Sequence, residues 1–320
     1  MDRKSIPQDD ALLIREGYKP KLHRGLGFFS SFSISFSYMS VLTGIIANYG
    51  FIIEKSGAFG IWTWVLVSIG HILTALVFAE MSGRIPLTGC AYNWNSKLTN
   101  PTVGWFTGWM ALLAYTVGIA AVTATIPPIL RALFGDVFDE SLDSYLGLAL
   151  ILLQALANIY GVRIAAYFNV IAVGVEIVSM IVFGGLLAWG LLSSPEPIDV
   201  TPIFQIPEKE ALSLPAFLMA CLLGAWTLLG FEGAADISEE TVNTQQVTPK
   251  SIIRSILSCA FLGFFFIGIL TIAFVSQKLP TDTPDLVNTI VAQELGTLGS
   301  KIFMATALVA VIACSLVILT

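Results

Sequence analysis

The chain has 320 residues, of which 56% are apolar and only 12% charged, and its mean hydropathy is +0.82; a water-soluble fold would lack charge to cover its surface, so membrane is the better solvent. The net charge of −6 comes largely from loops such as 136–143, and it does not imply a nucleic-acid partner. Four scattered cysteines, Cys90, Cys221, Cys259 and Cys314, and two isolated histidines, His23 and His71, lack ligand spacing, so no disulfide, metal site or cofactor follows.

Residues 1–24 are too polar and too acidic for a signal peptide and read as a tail. Beyond them, residues 25–320 read as a transmembrane domain of about eight helices, because uncharged stretches long enough to cross the hydrocarbon fall at 25–53, 56–79, 98–130, 144–162, 164–195, 211–231, 255–277 and 302–320. Positive residues are retained on the cytoplasmic side. A cytoplasmic N-terminus puts Arg3, Lys4, Arg15, Lys19, Lys21, Arg24, Arg84, Lys97, Arg163, Lys250 and Arg254 inside, against Lys55, Arg131, Lys209, Lys278 and Lys301 outside. The expected location is therefore a cell membrane, crossed many times and surrounded by lipid.

The first span carries six serines and a threonine between Phe28 and Gly44. Such hydroxyls can satisfy peptide groups where a helix breaks, which a membrane tolerates only where the break lines protein or a water-filled cavity; the alternative is a continuous helix whose hydroxyls bond back to their own carbonyls. In the second and third spans, Trp62, Trp64, Trp105 and Trp109 sit at span ends and read as interface anchors.

Glu176 is the one charge in the fifth span. At membrane depth it costs a few kcal/mol at least on insertion scales and should face the bundle interior. It is a candidate proton carrier, the alternative being a permanently protonated Glu bonded to a neighbouring helix.

In the sixth span Gly230 and Gly233 bracket Phe231-Glu232, which weakens the helix at its middle and lets peptide groups point into a cavity. Glu232 and Asp236 would then open a half-helix and complement its positive end, unless they lie solvated at the boundary. Interrupted first and sixth spans, five apart, are what an inverted repeat of five gives, and such pairs point to a transporter binding site. Half-helix N-termini attract an anion and free carbonyls a cation, so the site suits a zwitterion. The eighth span ends at Thr320 inside an apolar run, so the chain reads as a piece of something longer.

Two motifs carry a family resemblance. Gly230-Phe231-Glu232-Gly233-Ala234-Ala235-Asp236-Ile237-Ser238-Glu239-Glu240-Thr241, followed by Pro249, resembles the sixth-helix signature of amino acid permeases of the amino acid–polyamine–organocation superfamily, and more narrowly its amino acid/choline transporter branch, which includes γ-aminobutyrate permeases. Glu80-Met81-Ser82-Gly83-Arg84-Ile85-Pro86-Leu87-Thr88-Gly89-Cys90-Ala91-Tyr92-Asn93-Trp94 is similar to the cytoplasmic segment after that family's second helix. The resemblance implies an all-α, LeuT-like inverted-repeat fold with about eight of the usual twelve helices, a first repeat at about 25–195 and an incomplete second at about 211–320. It implies a secondary transporter carrying an amino acid or amine by alternating access, coupled to protons, and not an enzyme. By the same resemblance this piece alone should not transport.

Substrate contacts carried over by the resemblance fall on Ser40, Val41, Leu42, Thr43 and Gly44 in the first helix and on Thr227, Leu228, Gly230 and Phe231 in the sixth, with Glu176 and Glu232 as proton-coupling candidates. Leu42 stands where many relatives have a glycine, Leu228 replaces the usual aromatic gate, and Glu176 occupies the place of a lysine found in some proton-coupled relatives. Competing readings are a substrate sensor on a permease scaffold, an uncoupled exchanger or facilitator, a membrane-embedded enzyme and a channel. The last two would need convergent catalytic groups or a charged ring at one depth, and the spans carry neither.

Overall fold

A chain in hydrocarbon must satisfy each peptide group within its own segment, which makes helix the default for every apolar run here. The computed structural model describes residues 8–15, 17–135, 139–195, 197–206 and 213–319, and of 8 and 161–166 the backbone alone. Arg3, Lys4, Lys209, the side chain of Arg163 and the expected start of the sixth span at 211 lie outside the described residues. In chain order the helices are α1 (Gln8–Arg15), α2 (Phe28–Met39), α3 (Val41–Ser56), α4 (Ile61–Arg84), α5 (Cys90–Leu98), α6 (Pro101–Thr123), α7 (Ile126–Phe134), α8 (Asp143–Ser193), α9 (Thr201–Phe204), α10 (Leu214–Ala220), α11 (Leu222–Thr227), α12 (Gly233–Asp236), α13 (Thr244–Ser276) and α14 (Leu286–Ile318).

Six stretches of the described residues are long and apolar enough to cross a membrane, namely Phe28–Arg84, Pro101–Phe134, Glu140–Tyr160, Tyr167–Ser193, Thr244–Ser276 and Leu286–Ile318, and Leu214–Thr227 is a shorter apolar helix. The eight expected crossings map onto these seven. Phe28–Arg84 holds the first two, since its 57 residues would extend roughly 85 Å as one helix. The sixth is short because it is interrupted.

One boundary differs from expectation. The fourth and fifth spans are separated in the sequence at Arg163, yet α8 runs unbroken for 51 residues, roughly 75 Å of helix. Between Gln154 and Asn169 there is no proline, and one glycine, Gly161, is too weak a breaker to stop a propagating helix. The two halves differ in burial: Val173, Met180, Leu187 and Leu191 of the later half are buried, whereas Leu148, Leu152, Leu156 and Ile159 of the earlier half are exposed, as befits a lipid-facing surface. Ahead of α8, Asp139 accepts the Ser141 N–H at 2.8 Å, a bond that holds its carboxyl below the usual range.

The core is centred on α13, which packs against α2, α4 and α8. Trp64 of α4 corrects its reading as an interface anchor: it is 1% exposed, its indole N–H donates to the Ala260 carbonyl at 3.0 Å, and its ring fills the space where a side chain at Gly263 would stand. The small residue in α13 is what lets the two helices approach. Trp62 is bonded to the Ile203 carbonyl, while Trp105 and Trp109 remain exposed.

The tail segment is tied to the bundle. The Arg24 guanidinium donates to the Asp10 carboxylate at 3.1 Å and to the Thr241 and Ser238 carbonyls at 2.9 and 3.3 Å. Asp9 accepts the Asn243 N–H at 2.8 Å. Beside this anchor Gly25 and Leu26 donate to the Glu240 carbonyl and Val242 donates to that of Leu26, which forms an isolated parallel bridge between the entrance of the first crossing and the exit of the sixth.

Candidate functional site

The first crossing is split at Ser40, whose φ of 35° and ψ of 79° are left-handed. A serine there is strained by roughly 1–2 kcal/mol, and the surrounding bonds hold it. Ser40 N–H closes α2 on the Phe36 carbonyl at 2.9 Å, and the Ser40 carbonyl opens α3 by accepting Gly44 N–H at 3.1 Å. Helix starts leave peptide N–H groups without partners, and here a distant carboxylate supplies one. Glu176 Oε1, from α8, accepts Leu42 N–H at 3.0 Å and the Ser40 hydroxyl at 3.2 Å. The positive end of α3 favours that negative group. Ser40 Oγ in turn lies 2.6 Å from Thr43 Oγ1, and Cys314 Sγ donates to the Tyr38 carbonyl at 3.4 Å.

The second break follows α11. Gly230 has φ of 113°, a value that glycine adopts without a steric cost, and α12 begins three residues later. Glu232 Oε2 accepts Gly230 N–H at 3.1 Å. Ser35 of α2 bridges the opening: its hydroxyl accepts Ala234 N–H at 2.8 Å and donates to the Phe231 carbonyl at 2.9 Å. The serine-rich face of the first crossing therefore serves the backbone of the sixth, at least through Ser35, while Ser31, Ser33 and Ser37 are buried without a partner. Ser35→Ala should cost about 1–3 kcal/mol by orphaning two peptide groups, and Ser37→Ala close to nothing. Thermal melting of the two variants in detergent checks this.

The breaks touch each other. A Cβ built on Gly230 would stand 2.7 Å from the Tyr38 ring, and one on Gly44 would overlap Thr227. Beside the contact lies a narrow cavity of about 40 Å³ lined from α2 and α3 by Tyr38, Met39 and Thr43, from α6 by Ala114, Tyr115, Gly118 and Val122, from α11 and the turn after it by Trp226 and Leu229, and from α14 by Cys314 and Ile318. That is room for two or three waters.

Thr43 lines this cavity; Ser40, Leu42 and Glu176 form a buried hydrogen-bonded layer with it. Val41 and Leu228 are fully buried, and Gly44 and Thr227 meet at the helix contact. Phe231 turns the other way, packing edge-on against Phe78 and His71 of α4 at 5.4 and 6.3 Å between ring centres. Tyr38, Tyr115, Trp226 and Cys314 were not singled out in the sequence. A lone tyrosine amid Leu112, Leu113 and Ala114 was an available signal for Tyr115. Among the described residues no group of three His, Cys, Asp or Glu could hold a metal ion.

A model of the amino acid permease family matches residues 26–320. Amino-acid permease BAT1 of Arabidopsis thaliana is 24% identical over 302 residues, 88% of this chain and 58% of that protein. Amino-acid permease 2 of Neurospora crassa is 25% identical over 296 residues, 89% of this chain and 54% of that protein. The low-affinity putrescine importer PlaP of Escherichia coli K12 is 25% identical over 202 residues, 62% of this chain and 42% of that protein. The chain spans about half the length of these curated relatives.

Proposed function

The chain belongs to the amino acid permease family, whose members are transporters and not enzymes, and from that premise we propose that it supplies the substrate-binding part of a secondary transporter that moves an amino acid or related amine by alternating access. The observation that carries the reading is the pair of broken crossings, at Ser40 and at Gly230, meeting beside a cavity. Irregular backbone at membrane depth is tolerated only where it is buried or lines such a space, and paired breaks of this kind are how transporters expose peptide groups to a solute. The family has a LeuT-like fold; the two repeats are assigned to about 25–195 and 211–320, with residues 1–24 as a cytoplasmic tail on a cell-membrane protein.

In this reading the backbone at Ser40, Val41, Leu42, Thr43 and Gly44 forms one wall of the route and that at Thr227, Leu228, Gly230 and Phe231 the other, the Phe231 ring itself packing away on α4. Glu176 is the proton carrier: it is buried to 1% exposure and bonded directly to the first break, so a change in its charge acts on the backbone that faces the solute. Glu232, bonded to Gly230 N–H, would act likewise on the second break. The relatives named as amino-acid permeases and as a putrescine importer support a substrate with an amino group.

Radiolabelled uptake by the full-length protein in proteoliposomes, competed by a panel of amino acids and amines with and without a pH gradient, tests the reading. Gradient-stimulated uptake of at least one compound is expected. Vesicles that take up none of the panel would sink the transporter reading.

A further inference from the structure

We propose that the cavity beside the two breaks selects an organic ammonium group without a neighbouring carboxylate, and that Thr43 reads it, held as a pure hydrogen-bond acceptor by Glu176 through Ser40. This rests on the transporter reading and narrows its substrate class.

The argument is a count of protons. A carboxylate oxygen can only accept, so the bond between Ser40 Oγ and Glu176 Oε1 uses the one Ser40 proton. The 2.6 Å contact between Ser40 Oγ and Thr43 Oγ1 must then use the proton of Thr43. Thr43 has no proton left for a solute and offers lone pairs only. Cys314 is committed in the same way, because its thiol proton points at the Tyr38 carbonyl. A solute that reaches these two side chains must bring N–H or O–H donors.

The seat that a substrate carboxylate would want is also occupied. The N-terminus of α3 already holds a carboxylate at Leu42 N–H, and a second anion there would face the charge of Glu176. The remaining walls have the same sign preference. Tyr38 and Tyr115, with ring centres 5.8 Å apart, and Trp226 give the cavity aromatic faces, which attract cations. Among the described residues no Lys, Arg or His lines it. Behind Tyr115 stand Asp236 and Glu232, both close enough to act on it electrostatically.

The test compares compounds that differ only by a carboxylate, putrescine against ornithine and ethylamine against alanine, in equilibrium binding to the purified protein in lipid nanodiscs. Each amine should bind about tenfold tighter than its parent amino acid, the size expected when buried polar groups and charge discriminate between near-isosteres. Thr43→Val should bring the ratio close to one, whereas Thr43→Ser, which keeps the hydroxyl, should preserve it; a purely structural role for Thr43 would weaken both members of a pair equally. Glu176→Leu, which frees Leu42 N–H, should shift the preference toward the amino acids. Amino acids binding as tightly as their amines to the unaltered protein, or a ratio untouched by Thr43→Val, would overturn the proposal and leave the transporter reading standing. Failure to bind or carry any compound would overturn both.

Discussion

Gly230→Ala in the full-length protein is expected to abolish substrate uptake while leaving the helix content nearly unchanged. Two penalties act at one atom. The backbone at φ 113° is costly for any residue with a Cβ, by roughly 1–2 kcal/mol. The new methyl would also stand 2.7 Å from the Tyr38 ring, and the ring must yield. Tyr38 packs on Tyr115 at 5.8 Å and lines the cavity, so its displacement goes into the space a solute needs. Gly70→Ala and Gly174→Ala are the matched comparisons: both sit in helices with open space around them, and alanine there should be neutral or stabilising by up to about 1 kcal/mol. Uptake in proteoliposomes and thermal melting in detergent separate the cases; normal uptake by Gly230→Ala would show that the second break does not shape the route.

Glu176→Gln should remove the dependence of uptake on a pH gradient while leaving substrate binding within several-fold of the original. The amide oxygen can still accept from Leu42 N–H and from the Ser40 hydroxyl, so the split geometry of the first crossing survives. What disappears is the ability to gain and lose a proton. With Glu176 as the carrier, accumulation in the unaltered protein should rise when the side the solute enters from is made more acidic, and the variant should only equilibrate its substrate. Glu176→Ala is a different experiment, since it orphans the Leu42 N–H and should destabilise the fold by about 1–3 kcal/mol. Unchanged pH dependence in Glu176→Gln rejects the coupling role.

The parts of the site that the sequence disclosed are those set by local chemistry. Gly230 and Gly233 mark the second break through backbone permissiveness, and an isolated Glu176 in an apolar run demands an interior partner. The first break was legible as a run of hydroxyls, but not its position, because the residue that adopts the left-handed conformation is Ser40 and not a glycine. Partners separated by long stretches of chain were hidden. Glu176 meets Leu42 across 134 residues, and Ser35 meets Ala234 across 199; no periodicity encodes either pairing. Hydropathy also misled at Trp64, where position at a span end suggested an interface and a glycine on another helix decided for burial. At Arg163 a single charge divided two apolar runs in the letters without dividing the helix, since termination needs proline or a capping turn.

The bridge from Leu26 to Thr241 and the Ser35 hydroxyl between Phe231 and Ala234 fasten the opening stretch of the first crossing to the closing stretch of the sixth at two heights. Two fasteners on one pair of rods suppress relative tilting as well as sliding. These stretches are thus expected to swing as a single rigid lever, with the broken segments above them as its hinges, so that an opening at the end where the chain begins is won by releasing Arg24 and its neighbours from the whole lever and not by peeling one helix from the other.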